Sequence, residues 1–225
     1  MPLTRSPTEL TTAATDALLA LLSFLVLLRL VRMRVDAPRK RALWCWVLGL
    51  LGLGSVLGAV THGLQWSAAV RSLLWQPLYL LLSLAVTLFV VGGIYDWRGE
   101  AAARRVLPWA VVIGAGFLPL VDLLGGAFLI FVVYEMLAMV AALVMYGVLA
   151  ARQRLAGAGM VTAGIGLTIA AGAVQASPLI FRLIVPFDHN GLFHLIQLAA
   201  ILVLAKGLRL GLETAASRDA VRTTA

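Results

Sequence analysis

Residues 189–208 read HNGLFHLIQLAAILVLAKGL. One lysine near the end is the only formal charge in this run. Its length and composition are those of a helix that crosses a bilayer core, which takes about 20 apolar residues. At 100° per residue, Asn190, His194 and Gln197 share one face of that helix. A polar stripe on an otherwise apolar span has to look at protein or at a wet cavity, because lipid leaves its hydrogen bonds unmade. The stretch therefore predicts both a transmembrane helix and a place where chemistry could sit.

The rest of the chain has the same character. Of 225 residues, 62% are hydrophobic and 12% are charged, with mean hydropathy +0.99; a soluble domain carries about twice that charged fraction. Cutting at charges and turn residues gives seven apolar runs, near 12–32, 42–63, 72–95, 104–123, 126–150, 157–179 and 188–208. The predicted fold is an all-α seven-transmembrane-helix bundle forming a single domain over 1–225. The first run is interrupted by Asp16 and ends on Arg29 and Arg32, which must snorkel toward headgroups. Its basic residues follow the apolar core instead of preceding it, which favours a span over a cleaved signal peptide.

Most of the 18 cations fall on one side of this map: Arg29 to Arg41 after the first run, Arg98, Arg104 and Arg105, Arg152 and Arg154, and Lys206 onward. Arg5, Arg71 and Arg182 fall on the other. The positive-inside rule then places the N-terminus outside and the C-terminus in the cytoplasm. The net charge of +8 is thus spent on topology, and nucleic acid is not an expected partner. The preference for arginine over lysine, with apolar residues that are mostly Leu, Ala, Val and Gly, points to a GC-rich bacterial genome, so the expected place of the apolar spans is a bacterial inner membrane and the expected partner is membrane lipid.

Several local signals carry structural expectations. Gly54 and Gly58, and Thr162, Gly166 and Ala170, recur every four residues and predict close helix contacts. Pro77, Pro108 and Pro119 should kink or end their helices. Trp44, Trp46, Trp66 and Trp75 read as interface-belt aromatics, and the lone Cys45 as a small apolar residue. The tails MPLTRSPTELTT and ETAASRDAVRTTA should fray. Asp96 and Glu100 are expected in a solvated loop.

The three histidines define the candidate site. His62 ends the second run, and His189 and His194 open the seventh, so all three fall at one membrane face. Asp188 after Pro186 is an expected N-cap, from which His189 could bend inward although it lies 140° from His194 on a helix. Three imidazoles with an open fourth position suit catalytic zinc, which activates a water for attack on an acyl carbonyl. Ser55 and Gly58 lie below His62 on the same face. Asp16, Asp122 and, deeper, Glu135 could serve as partner carboxylates or proton carriers, although Asp16 and Asp122 read first as interfacial caps. Glu135 is the acid placed well inside a span, which marks a functional position by default.

HNGLFHLIQLAAILVLAKGL also resembles the last helix of the superfamily that groups alkaline ceramidases, progestin and adiponectin receptors and haemolysin-III-like proteins. That resemblance implies seven helices, zinc held by one histidine late in the second helix and two in the seventh, and hydrolysis of a lipid amide. His62 and His194 match by placement. Asn190 stands where the family has its other helix-seven histidine, Gly58 where it has a serine, and only Gln76 lies near its third-helix aspartate. The expected function is a zinc-dependent hydrolase of a lipid amide or ester, with His62, His189 and His194 as ligands and Glu135 as proton carrier. Asn190, Gln197, Asp122, Gln76 and Ser55 would surround them. The alternatives are a non-catalytic metal- or lipid-binding receptor, or a proton-coupled transporter.

Overall fold

Each apolar run of the sequence becomes one helix. The computed structural model describes residues 1–125, 128–182 and 184–223, with side chains as far as Glu213. Its helices are α1 (Pro7–Arg32), α2 (Pro38–Gly63), α3 (Ala68–Arg98), α4 (Glu100–Leu123), α5 (Phe128–Ala151), α6 (Ala158–Gln175) and α7 (His189–Thr223). All seven are long and apolar enough to cross a membrane, as an all-α polytopic protein requires. The expected start of the fifth span, at residue 126, lies outside the described residues.

Helix starts follow local chemistry. Ser6 caps α1 by accepting from the Glu9 N–H, with Pro7 at the first helical position, where its missing donor costs nothing. Asp188 caps α7, its Oδ1 accepting from the Gly191 N–H at 2.9 Å. The same oxygen accepts from the Thr12 hydroxyl at 2.9 Å, which ties the start of α7 to α1. A two-residue antiparallel hairpin, β1 (Phe181–Arg182) with β2 (Pro186–Phe187), leads into α7.

Neighbour packing runs α1–α2–α3–α5–α6–α7 and closes from α7 back to α1, with α4 set outside against α3. The six-helix ring encloses the core. The outlying α4 leaves Trp109, Val112 and Ile113 exposed, as a lipid-facing helix should.

Three expectations need correction. The N-terminal tail does not fray: the Thr4 N–H donates to Gly63 O at 2.9 Å and the Gln65 N–H to Pro2 O at 3.1 Å, so the segment before α1 is pinned to the end of α2. The helical backbone of α7 likewise runs on to Thr223, through most of the expected C-terminal tail. Pro77, Pro108 and Pro119 lie inside α3 and α4, within the spans expected to hold them, and end neither helix. On α6 the close-packing face is not Thr162, Gly166 and Ala170. Gly157, at φ +79°, abuts the backbone of Gly207, and a Cβ on Gly164 would meet Leu204, whereas Gly166 has nothing within 4 Å. Four-residue spacing identifies a stripe of small residues but does not say which stripe meets a neighbour.

The end of the bundle opposite the histidines also differs from expectation. Asp96 is not in a solvated loop but in the last turns of α3, its side chain 3% exposed and ion-paired with the equally buried Lys40 of α2. Its other oxygen accepts from the Tyr146 hydroxyl of α5 at 2.7 Å. Lys40 also reaches Gly211 O of α7 at 3.4 Å. Glu100 starts α4 and takes the Arg39 side chain and the Tyr95 hydroxyl. Nearby, Trp44 is fully buried instead of belting the interface: it packs edge-on against Phe89 at 5.2 Å, over Gly92, where any Cβ would strike its ring. Trp46 is exposed as expected.

Candidate functional site

A cavity of about 100 Å³ lies inside the ring where α1 and α7 begin and α2 ends. It has room for a few waters but is well below the roughly 300–1,000 Å³ of a pocket that swallows a drug-sized ligand. A second, mostly apolar cavity of about 80 Å³ continues toward Trp44 and Leu208, and Leu51, Val86, Glu135 and Gln197 line both.

The polar corner of the first cavity is assembled from three helices. On α1, the hydroxyls of Thr11 and Thr15 bond to carbonyls one turn back, so a polar segment stays helical and presents Glu9 and Asp16, seven residues apart, on one face. Asp16 seats against Gly58 of α2; a Cβ at residue 58 would lie 2.6 Å from its Oδ2. The missing side chain of Gly58 is thus what admits the carboxylate. Asp16 is 5% exposed, and is an interior group, not an interfacial cap.

Both imidazoles are held by their Nδ1 atoms. His62 Nδ1 lies 2.7 Å from Glu9 Oε2; a carboxylate accepts, so this nitrogen carries the proton. His194 Nδ1 lies 3.0 Å from Thr15 Oγ1. That hydroxyl has one proton, directed to the Thr11 and Thr12 carbonyls, so it accepts from His194. Each Nδ1–H leaves Nε2 with its lone pair. His194 Nε2 faces Asp16 Oδ1 at 3.4 Å, longer than a charge-assisted hydrogen bond of about 2.7–2.9 Å. Two acceptors facing one another need a proton or a cation between them.

The remaining lining is sorted by depth. Ser55, Asn190 and Gln197 border the cavity. Asn190 Oδ1 accepts from Gln175 Nε2 at 3.3 Å, while Oε1 of both Gln175 and Gln197 is buried without a partner. Glu135 enters from α5 and faces both cavities with no hydrogen-bond or ion-pair partner among the described residues. Trp75 closes one wall, edge-on to His62 at 5.9 Å.

Three sequence-predicted residues are elsewhere. His189 opens α7 half-buried and does not line the cavity, because the Asp188 cap places it at the first helical position, turned away from His194. Asp122 and Gln76 are exposed on α4 and α3, off this cavity. The three histidines therefore do not meet. Among the described residues no three His, Cys, Asp or Glu side chains enclose a single point as they stand, so the expected three-histidine zinc site does not fit. The pair Asp16 and His194 does: donors about 2.0–2.1 Å from a tetrahedral zinc lie about 3.3–3.4 Å from each other, which is their separation. Sequence reasoning named Asp16 but missed Glu9 and Thr15, although the seven-residue spacing of Glu9 and Asp16 was visible.

The fold and site define a polytopic all-α membrane protein with a small, polar, acid- and imidazole-lined chamber near one end of its bundle. The model of a family of unknown function, DUF6962, matches residues 11–213, and the chain belongs to that family. No curated protein and no solved structure matches the chain.

Proposed function

We propose that the chain is a metal-dependent membrane hydrolase acting on a lipid amide or ester, with Asp16, His62 and His194 as the residues that hold zinc. The carrying observation is the hydrogen bonding of the two histidines: each Nδ1–H is engaged, by Glu9 or Thr15, which leaves each Nε2 its lone pair, that of His194 turned to Asp16 Oδ1. A carboxylate or hydroxyl behind a ligating imidazole is the arrangement that fixes its tautomer and orientation. The spacing of Asp16 and His194 supports the same reading, and His62 borders the same cavity. The resemblance of the last helix to the alkaline ceramidase superfamily agrees with it.

Zinc in this corner would polarise an acyl carbonyl and make a water more acidic. The residues do the rest. Glu9 and Thr15 hold the rings, Gly58 gives Asp16 its place, and the unpartnered amide oxygens of Gln175 and Gln197 accept from a bound water or an amide N–H. The chamber admits only the reacting group and water, so the acyl chains stay outside it, in lipid. By the positive-inside count the mouth opens to the outer leaflet of a bacterial inner membrane.

The test is zinc content together with turnover of N-acyl and O-acyl lipids in mixed micelles. About one zinc per chain is expected, with zinc and turnover both lost in His194→Ala. A zinc-free protein that turns over no acyl lipid would overturn the reading.

One observation favours a second reading, a proton relay. Glu135 and Gln197 border both cavities, and an intramembrane carboxyl with no fixed partner can load and release a proton. Glu135→Gln in liposomes under a pH gradient is then expected to abolish proton flux. For the hydrolase, the same variant lowers turnover, by about 10²–10⁴-fold if Glu135 is the proton carrier, while zinc stays bound.

A further inference from the structure

At the opposite end of the bundle a cleft of about 430 Å³ opens between the last turns of α1 and the part of α7 beside them. Arg29 and Arg32 border it from α1, Lys206 and Arg209 from α7. All four are exposed. Arg209 is tied to Glu213, Nε to Oε1 at 2.7 Å, and the other three have no acidic partner among the described residues. Four cations against one carboxylate leave a surplus of three positive charges around one cleft.

The floor of the cleft is apolar. Val26 and Leu30, one turn apart on α1, and Met33 just past its end border the cleft with Leu202 and Ala205 of α7. Along the outer flank Leu25, Leu28 and Val31 are each about half exposed, so the cleft continues into a surface that only lipid chains can cover. A soluble phosphate would meet the charges and leave the floor bare. A neutral lipid would cover the floor and leave the charges unanswered.

From this we infer that the α1–α7 cleft binds an anionic phospholipid, its phosphate among Arg29, Arg32, Lys206 and Arg209 and one acyl chain along the Val26–Leu202 floor. Basic pockets between transmembrane helices on the cation-rich side take lipid headgroups in this way. With a surplus of three, a headgroup bearing two phosphates is bound more tightly than one bearing one. The site stands apart from the histidine chamber, and its occupancy does not depend on what that chamber does.

The experiment is native mass spectrometry and thermal unfolding of the full chain in detergent, with phosphatidylcholine, phosphatidylglycerol, cardiolipin or inorganic pyrophosphate added. Cardiolipin and phosphatidylglycerol are expected to form a retained one-to-one adduct and raise Tm; phosphatidylcholine and pyrophosphate are not. At about 1 kcal/mol per cation near the surface, the triple variant Arg29→Gln, Arg32→Gln, Lys206→Gln loses on the order of 100-fold in affinity. Its Tm in phosphatidylcholine stays that of the parent, which shows that it folds. Equal retention of phosphatidylcholine, stabilisation by pyrophosphate alone, or unchanged cardiolipin binding in the triple variant overturns the inference. If the variant fails to fold, Leu202→Trp, which fills the floor and keeps every charge, must weaken phosphatidylglycerol retention for the inference to stand.

Discussion

Lys40→Met is expected to abolish stable expression of the folded chain. Lys40 and Asp96 are buried together, in a corner where α2, α3, α5 and α7 converge through Tyr146 and the Gly211 carbonyl. Removing the ammonium strands a carboxylate among apolar side chains, at a cost of about 3–5 kcal/mol, comparable to much of a typical domain's net stability. The sign reverses when both charges go. Lys40→Met with Asp96→Leu replaces the pair by apolar volume and should recover most of the loss, because a buried pair is worth little more than a hydrophobic substitute. Thermal unfolding in detergent, or the monodisperse fraction after extraction, reads the difference. A double variant as unstable as Lys40→Met alone would mean that contacts other than the pair hold this corner. Asp96→Asn is intermediate, since the amide oxygen still accepts from Tyr146.

That corner shows where sequence reading stops. Seven apolar runs were legible because a bilayer imposes length and polarity on every span, and the helices fall on them to within about five residues at every end but that of α7, which runs on to Thr223. Lys40 and Asp96 are 56 positions apart in stretches that look like loops. Nothing in either stretch says that its charge turns inward to meet the other, because the match is made by the ring closing. Burial of Trp44 is of the same kind: it follows from Gly92 on α3, which leaves a hollow one indole wide.

The site was legible in part. The stripe of Asn190, His194 and Gln197 and the face of His62 come from helical periodicity alone, and all four line one cavity. What misled was the weight given to imidazole as a residue type. His189 shares the histidine count but not the face, whereas Asp16 shares the face and passes for a cap when the first span is started at residue 12. The threonines around it make the segment look like a tail, yet the Thr11 and Thr15 hydroxyls bond to carbonyls one turn back, and α1 begins at Pro7.

Asp16→Ala should therefore cost the site more than His189→Ala. If Asp16 and His194 share a zinc ion, the alanine removes a ligand. Loss of an outer partner alone typically costs 10–100-fold in affinity, so loss of Asp16 should exceed about 100-fold, with turnover falling in parallel. His189→Ala should leave both within about threefold, since its ring is off the chamber and the Asp188 cap does not need it. Zinc titration of the purified variants against a competing chelator reads the affinities directly. Equal losses in the two variants would return His189 to the site; no loss in either would remove zinc from it. The structure also supplies a rescue. Asn190 borders the chamber one turn before His194, so an imidazole introduced there points the same way. Asp16→Ala with Asn190→His should regain zinc binding that Asp16→Ala alone has lost. A merely structural role for Asp16, as a plug against Gly58, predicts no such recovery, because a histidine on α7 cannot fill a hollow between α1 and α2.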